Sequence, residues 1–348
     1  MLGFVARRLA WAVVLALVLT LITFVMFFVL PEDRRPVQQG QASFVPDLQT
    51  QFHARGSLVE QYARFLERVA LHGDLGESYR GKPVTTVIGD ALPVTASLVI
   101  GGAVFWLLIA FPIGLLSALR PRSLLDKGLT LFVLVGLCAH PLWLGLVFSY
   151  VFGVKLHWFP VAGYCDLRYD PESSNLCGGP RYWAYHLFLP WLTFAFLYAA
   201  LYARMIRASM LEAMAEDYVR TARAKGAGTS RVVRGHVLRN AMLPVMTMLG
   251  MDIGIAFGGT LFIETVFNLP GVGQLLVFSL GRPDLPVIMG IVLTVSFAVV
   301  IANLIVDILY PFVDPRVRLR GKGGASIGSR ALRRQLRTRP RVTSESPT

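Results

Sequence analysis

Residues that carry metal or acid–base chemistry are scarce in this chain of 348 residues, which has only three cysteines and six histidines. The cysteines stand at positions 138, 165 and 177, and this spacing lacks the paired Cys-x-x-Cys pattern typical of a structural zinc site. The chain has no H-E-x-x-H motif and no Ser, His and Asp set in a motif context. It also has no G-x-x-x-x-G-K-[ST] phosphate loop, so we predict that it does not hydrolyse ATP itself.

Charged residues are also few, at 16% of the chain, whereas 54% of the residues are hydrophobic and the mean hydropathy is +0.56. This balance excludes an ordinary soluble domain. Six apolar segments approach or exceed the ~20 residues that a membrane-spanning helix needs. They are residues 9–30, 94–119, 128–153, 187–206, 242–263 and 286–313. We therefore predict an all-α polytopic membrane protein with six transmembrane helices, the first of which is too long for a removable signal peptide.

Basic residues outnumber acidic ones by 34 to 21, and they are unevenly placed along the predicted topology. If both termini are cytoplasmic, 23 of the 34 Lys and Arg residues fall in segments on that side. This asymmetry follows the positive-inside rule and favours contact with anionic lipid. No nucleic-acid-binding motif accompanies the positive charge, so we expect no nucleic-acid partner.

The most informative polar stretch is residues 216–244, EDYVRTARAKGAGTSRVVRGHVLRNAMLP, which lies between the fourth and fifth apolar segments. Residues 216–225 contain no helix breaker and are rich in Ala and Arg, which favours a short helix. Gly226 and Gly228 then end it, and a second helical stretch is expected over residues 230–240. The pattern predicts a helix–glycine–helix elbow at the membrane surface, a shape that fits a groove on another protein.

This stretch resembles the cytoplasmic "EAA" loop of ABC importer permeases, in the form found in the dipeptide, oligopeptide and nickel branch. The matching residues are YVRTARAKG at 218–226 and H-x-L-R-N-A-x-x-P at 236–244. The literal Glu-Ala-Ala triplet is replaced by Arg220, Thr221 and Ala222, as is usual for that branch. The resemblance implies that the elbow docks on ATPase subunits through Glu216, Asp217, Tyr218, Arg220, Thr221, Ala222, Arg223, Ala224, Lys225 and Gly226.

Three further stretches are similar to the same branch. They are GDLGESY at 73–79, ETVFNLPGVG at 264–273, and the ending of the sixth apolar segment, which includes Asp307, Tyr310 and residues 314–316. One departure is the sequence PEDRR at 31–35, where the family often has Pro-Gly-Asp-Pro. Together the matches imply a type I ABC importer permease fold, most like the first permease subunit of a dipeptide or oligopeptide transporter.

The resemblance also implies partners and a location. The partners are a second homologous permease, two ABC ATPase subunits that carry ATP and Mg²⁺, and an extracytoplasmic peptide-binding protein. The location is the inner membrane of a prokaryote, with both termini cytoplasmic, and no cofactor is expected on this chain itself. An ion-coupled secondary transporter remains the alternative at this stage, with Asp252 as its only deep candidate for ion coupling.

The expected organisation has four parts. Residues 1–30 hold the N-terminus and first transmembrane helix, and residues 31–91 form an external loop with an amphipathic helix over 58–72. Residues 92–313 form the five-helix core, which includes the cytoplasmic coupling loop at 207–240. Residues 314–348 form a basic, disordered cytoplasmic tail.

Two polar residues within apolar segments are candidates for the translocation pathway. His140, beside Pro141, either faces a pathway or makes an interhelical hydrogen bond. Asp252 lies on the opposite side of its helix from Gly250, Gly254 and Gly258, which form a small-residue stripe suited to close helix packing. Its carboxylate either pairs with a neighbouring helix or lines the pathway, where it could meet a substrate amino group.

Cys165 and Cys177 lie in the predicted outer segment, where thiols tend to pair, and their spacing of twelve can close a small loop. The alternative, a metal site completed by His186, is weak, because two Cys and one His do not make a closed zinc site.

Overall fold

The computed structural model describes residues 2–29, 57–167, 177–282 and 284–313, and within this part of the chain the protein is almost entirely helical. Predictions for residues 31–35 and for the tail at 314–348 lie outside the described residues, as do those for the side chains of Asp307 and Tyr310. The first helices are α1 (Leu2–Phe24), α2 (Leu58–Glu67), α3 (Val84–Leu119), α4 (Leu124–Cys138), α5 (Pro141–Phe148) and α6 (Pro180–Ala215). They are followed by α7 (Asp217–Ala224), α8 (Thr229–Val232), α9 (Leu238–Val266), α10 (Val272–Gly281) and α11 (Leu285–Val313). Single π-helical turns extend α1, α2 and α5 and join α8 to α9.

Five helices are long and apolar enough to cross a membrane by themselves, namely α1, α3, α6, α9 and α11. The remaining candidate is a pair of helices, 126–138 and Pro141–Lys155, with a bend of 108° between them. α6 has 36 residues and at 1.5 Å per residue is ~54 Å long. It is therefore longer than the ~30 Å hydrocarbon core.

The bent pair runs from one end of the bundle to the other. Near its start, Asp126 is bonded to Arg207, close to the C-terminal end of α6. Beyond its end, the hydroxyl of Tyr185, near the N-terminus of α6, donates to the carbonyl of Trp158. The described residues therefore contain five single-helix spans, or the predicted six when the bent pair is counted as one span.

The third predicted span, residues 128–153, is thus not one continuous helix. Pro141 is the first residue of α5, and the residue before it, His140, is extended at φ −80°, ψ 136°. Proline has no N–H to donate and disfavours a helical conformation in the preceding residue, so the helix ends at Cys138. By contrast, Pro112 lies inside α3, which continues past it.

The core of the bundle lies between α3 and α6. Trp106, fully buried on α3, stacks on Tyr198 of α6 with ring centroids 4.6 Å apart. The two helices approach closely because Gly114 of α3 faces the backbone carbonyl of Ala203, where a Cβ would not fit. Aromatic stacking with small-residue contacts is typical of helix packing in a membrane.

The glycine stripe of α9 packs on α11. A Cβ on Gly250 would overlap Val306, and one on Gly254 would lie 3.1 Å from Val299. Gly258 has no neighbour within 4 Å of a built Cβ. The predicted packing face is therefore confirmed for two of its three glycines.

The amphipathic helix predicted in the external loop corresponds to α2 and its π-helical turn, Arg68–His72. Ser57 and Glu60 form a capping box at its start. Phe65 is buried against Phe24 and Phe28 of α1, and Tyr62 bonds Thr20 of the same helix at 3.1 Å. The helix is thus packed on α1 and on residues of α11.

Candidate functional site

The elbow, residues 216–237, connects α6 to α9. Glu216 is extended at φ −68°, ψ 151°, which separates α7 from α6. α7 ends at Ala224, and Gly226 has φ +81°, as the predicted glycine stop requires. After Gly228, helical backbone runs without interruption from Thr229 through a π-helical turn into α9. The predicted second stretch, residues 230–240, is therefore helical throughout and continues directly into α9.

Buried contacts hold the elbow in one orientation. Val219 of α7 is fully buried, as is Val237 before α9, and Val232 is 1% exposed. The hydroxyl of Tyr218 donates to the carbonyl of Ala213 at 3.1 Å and accepts from Asn240 at 3.1 Å. The elbow is thus anchored to both of the long helices that it joins.

The opposite side of the elbow is exposed, and its charged residues are mostly basic. It carries Glu216, Asp217, Arg220, Thr221, Arg223, Ala224, Lys225, Gly226, Arg231 and Arg234. Tyr218 and Ala222, also among the predicted contact residues, are only partly exposed and pack against the core. The ion pair of Asp217 with Arg220, at 3.6 Å, is largely exposed to solvent and stabilises the elbow little. The elbow therefore has a basic exposed surface, and the buried contacts on its inner side fix the shape of that surface.

Asp252 makes a hydrogen bond to the neighbouring helix. Its Oδ2 accepts from the hydroxyl of Tyr202 on α6 at 2.7 Å. Tyr202 is fully buried, and its ring lies 5.8 Å from that of Trp106. Among the described residues, no further partner is found for the other carboxylate oxygen, Oδ1. One carboxylate oxygen of Asp252 therefore pairs with a neighbouring helix, which was the first of the two interpretations. The side chain is partly exposed, and its second oxygen is compatible with a role in the pathway.

His140 is exposed at the break between α4 and α5. Its Nδ1 accepts from the N–H of Leu142 at 3.3 Å, so it caps its own helix. Its ring meets Phe262 of α9 edge to face at 5.1 Å. Among the described residues it makes no hydrogen bond to another helix, and its contact with α9 is aromatic instead.

Cys165 and Cys177 are joined as a disulfide, with Cα atoms 5.3 Å apart. His186 lies beside them, its Nδ1 3.1 Å from Sγ of Cys165, and the three side chains are close enough to share an ion. A disulfide leaves neither sulfur as the thiolate that a metal needs. The arrangement therefore fits a covalent tie better than a metal centre. Cys138, in α4, is a free, exposed thiol.

Glu264 is a fully buried carboxylate whose role sequence reasoning did not identify. Its Oε1 accepts from Thr95 of α3 at 2.7 Å, and its Oε2 accepts from the N–H of Gln274, in the first turn of α10, at 3.0 Å. A Cβ on Gly271 would overlap this carboxylate. The E-T-V-F-x-x-P-G signature thus encodes an acid that receives the N-terminus of the next helix, which the matching sequence alone did not reveal.

Asp284 has a similar role at the start of α11. Its Oδ2 accepts from the hydroxyl of Ser78 at 2.7 Å and from the N–H of Tyr79 at 3.1 Å. These bonds attach the G-D-L-G-x-S-Y stretch, residues 73–79, to the start of α11. Next to it, Nε of Arg80 donates to the phenol oxygen of Tyr79 at 2.7 Å, and this bond lowers the pKa of the phenol below its usual value.

A helical bundle with up to six candidate spans and an anchored, basic elbow at one end defines a multi-span membrane permease. The chain belongs to the family of binding-protein-dependent transport system inner membrane components, which it matches over residues 110–319. Residues 1–99 match the N-terminal part of the membrane component of binding-protein-dependent transport systems. The resemblance inferred from the elbow is confirmed, and no finding supports the ion-coupled alternative.

Individual relatives align along nearly their whole length. The di/tripeptide transport system permease protein DppB of Pseudomonas aeruginosa is 35% identical over 336 residues, with 91% of this chain and 99% of the relative covered. The oligopeptide transport system permease protein AppB of Bacillus subtilis is 35% identical over 321 residues, with the same coverage. The dipeptide transport system permease protein DppB of Escherichia coli is 34% identical over 339 residues, again covering 91% and 99%.

Proposed function

We propose that this chain is one of two permease subunits of an ATP-driven ABC importer that takes up dipeptides or oligopeptides. The observation that carries the proposal is the elbow, whose basic outer surface is exposed while Val219, Val232 and Val237 hold its inner side. A surface that transmits the movement of the ATPases to the transmembrane helices needs a fixed shape. The contacts of Tyr218 with both neighbouring helices hold the elbow in such a shape. The peptide substrate class is supported by the relatives named above.

The proposal assigns the remaining parts of the transporter to other chains. Two ATPase subunits bind ATP and Mg²⁺ and dock on the elbow, because this chain has no phosphate loop of its own. A second homologous permease completes the pathway, and an extracytoplasmic binding protein delivers the peptide. The chain itself is a transport subunit without catalytic residues or a cofactor.

The elbow is on the cytoplasmic side of the inner membrane in this proposal, and both termini are cytoplasmic, in line with the uneven distribution of Lys and Arg. A cysteine introduced in the 321–348 tail should then resist a membrane-impermeant thiol reagent in intact cells. Rapid labelling of that cysteine would contradict the orientation.

Asp252 is the group that we assign to the pathway. Its Oδ2 is held by Tyr202, which leaves Oδ1 for a ligand. A carboxylate at this depth is costly to keep in the membrane without a use. The ammonium group of a peptide N-terminus is the complementary charge.

The decisive experiment combines assembly with transport. The chain should co-purify with two ATPase subunits and the second permease, and the reconstituted complex should take up peptide only when ATP is supplied. A proton ionophore should leave uptake unchanged while ATP is maintained. Purification without ATPase subunits, or uptake that collapses with the proton gradient, would reject the proposal.

A further inference from the structure

Asp126 and Arg207 form a two-pronged ion pair between α4 and α6 that the transport function described so far does not use. Nε of Arg207 donates to Oδ1 of Asp126 at 2.5 Å, and Nη2 donates to Oδ2 at 2.8 Å. Asp126 is 9% exposed. Paired charged hydrogen bonds of this kind restrict orientation as well as distance, so the start of α4 is held rigidly against α6.

The same carboxylate organises the turn that enters α4. Its Oδ1 also accepts from the hydroxyl of Ser117 on α3 at 2.6 Å, and its Oδ2 accepts from the N–H of Arg122 at 2.9 Å. Arg122 has φ +64°, a strained conformation for a residue with a Cβ. One side chain thus connects the end of α3, the turn, the first turn of α4 and α6.

α4 remains in contact with α6 further along its length. Gly136, one turn before the break, approaches Ala200 so closely that a Cβ on the glycine would lie 2.7 Å from the alanine Cβ. α4 is therefore fixed to α6 near its two ends. α6 is in turn the helix that leads directly into the elbow.

α5, on the other side of the break, also touches α6, where the ring of Phe148 meets that of Phe196 at 5.9 Å, and it adds α9 as a second neighbour. A Cβ on Gly145 would lie 3.3 Å from Val266 and 3.4 Å from Phe267, at the end of α9, and 3.7 Å from Thr193 of α6. His140 at the start of α5 also touches Phe262 of α9. α5 thus lies against the end of α9 that is remote from the elbow, whereas Asp126 holds α4 close to the elbow.

We propose that Asp126 and Arg207 are positioning residues for transport. They make α4 follow α6 when bound ATPases move the elbow. The break at Ala139 and His140 allows α4 to move relative to α5. The break suits this role because Ala139 and His140 are both extended and Pro141 prevents one helix from forming across them. This inference rests on the proposed function, since the ATPases provide the movement.

The direct test measures distances in the assembled transporter in proteoliposomes, with Cys138 replaced by Ser and the native disulfide retained. Spin labels at Leu131 of α4 and Ala208 of α6, both exposed, should keep their separation between the nucleotide-free and ATP-trapped states. Labels at Leu131 and Leu146 of α5 should change theirs by several ångströms, about the scale of helix shifts in such switches. A constant distance from 131 to 146, or a changing distance from 131 to 208, would overturn the proposal.

Mutations test the ion pair itself. Asp126→Asn should leave ATP hydrolysis in place but lower peptide uptake per ATP about tenfold, a typical size for a coupling free energy. Arg207→Lys keeps the positive charge but cannot donate two parallel hydrogen bonds to the carboxylate. It should therefore have a smaller effect in the same direction. Asp90→Asn is the matched control, because Asp90 is an exposed acid on α3 and should keep normal coupling.

The results separate this inference from the function on which it rests. A wild-type complex with no ATP-dependent uptake would reject the proposed function. A transporting wild type whose two ion-pair variants keep normal uptake per ATP would reject only the inference. If Asp126→Asn does not assemble, the Arg207→Lys variant and the two label distances decide the question.

Discussion

The side-chain amide of Asn240 donates a hydrogen bond to the hydroxyl of Tyr218 over 3.1 Å and thereby joins the α7 arm of the elbow to α9, the helix that continues its second arm. The same hydroxyl donates to the carbonyl of Ala213 near the end of α6. Because the two arms are linked in this way, a change of direction at the turn between them alters the whole docking surface. The glycine at that turn is therefore the most sensitive position in the elbow.

We predict that Gly226→Val leaves the protein folded in the membrane but abolishes ATPase association or ATP-driven uptake. A built Cβ at Gly226 meets no atom within 4 Å, so the effect comes from the backbone angle of φ +81° alone. A residue with a Cβ in this conformation lowers the free energy of unfolding by about 1 kcal/mol or more, and a β-branched residue lowers it further. The measurement is pull-down of the ATPase subunits together with ATP-dependent uptake in vesicles.

Gly228→Val is the matched control for this change. Gly228 also has open space around it, but its φ of −65° is ordinary for any residue. It should therefore keep assembly and transport, and Arg220→Gln should also be mild because exposed ion pairs contribute little. Normal transport by the Gly226→Val variant would show that the geometry of the elbow has no role in the mechanism.

The elbow was predictable because its signals are local. A helix-forming run followed by two glycines determines the α7 boundary and the positive φ of Gly226 with no reference to distant residues. The partners of the buried acids were not predictable in this way. Asp126 and Arg207 are 81 positions apart, and Glu264 and Thr95 are 169 apart, so hydropathy along the chain contains no sign of either pair. Pro141 is visible in the sequence, but a proline can either kink a helix or end it, and only the packing of α4 and α5 selects between these outcomes.

The disulfide of Cys165 with Cys177 should be present in the protein isolated without reductant. It closes a loop of sequence separation 12, for which the expected contribution to local stability is about 2–3 kcal/mol. Peptide mapping should recover the two cysteines in one linked fragment, and Cys165→Ser should increase proteolysis of the 165–177 loop. Cys138→Ser, which changes a free thiol, should leave the loop unaffected. Recovery of three free thiols would refute the pairing.

Asp252→Asn should fold and assemble normally but change the rate or the substrate range of peptide uptake. An asparagine oxygen can still accept the hydrogen bond from Tyr202, so the substitution removes the charge while preserving the contact. Tyr202→Phe provides the complementary variant, because it keeps the carboxylate and removes its donor. That variant should mainly lower stability, by about 1.5–3 kcal/mol, the usual contribution of a hydrogen bond to a charged group. Unchanged uptake and range in Asp252→Asn would show that the carboxylate has no role in the pathway.

Gly271→Ala should destabilise the protein even though the change adds a single methyl group. A Cβ at Gly271 would overlap the carboxylate of Glu264, which is fully buried and already bonded to Thr95 and to the N-terminus of α10. Because this acid cannot withdraw without losing those bonds, the expected cost is about 1–3 kcal/mol, typical of overpacking. The measurement is the thermal unfolding midpoint of the detergent-solubilised protein.

Gly89→Ala is the control for this substitution. Gly89 lies within α3, a built Cβ there meets nothing within 4 Å, and alanine is the better helix former by about 1 kcal/mol. That variant should therefore be as stable as the wild type or slightly more so. If Gly271→Ala unfolds at the same temperature as Gly89→Ala, Glu264 has room to move, and its contact with Gly271 does not constrain the start of α10.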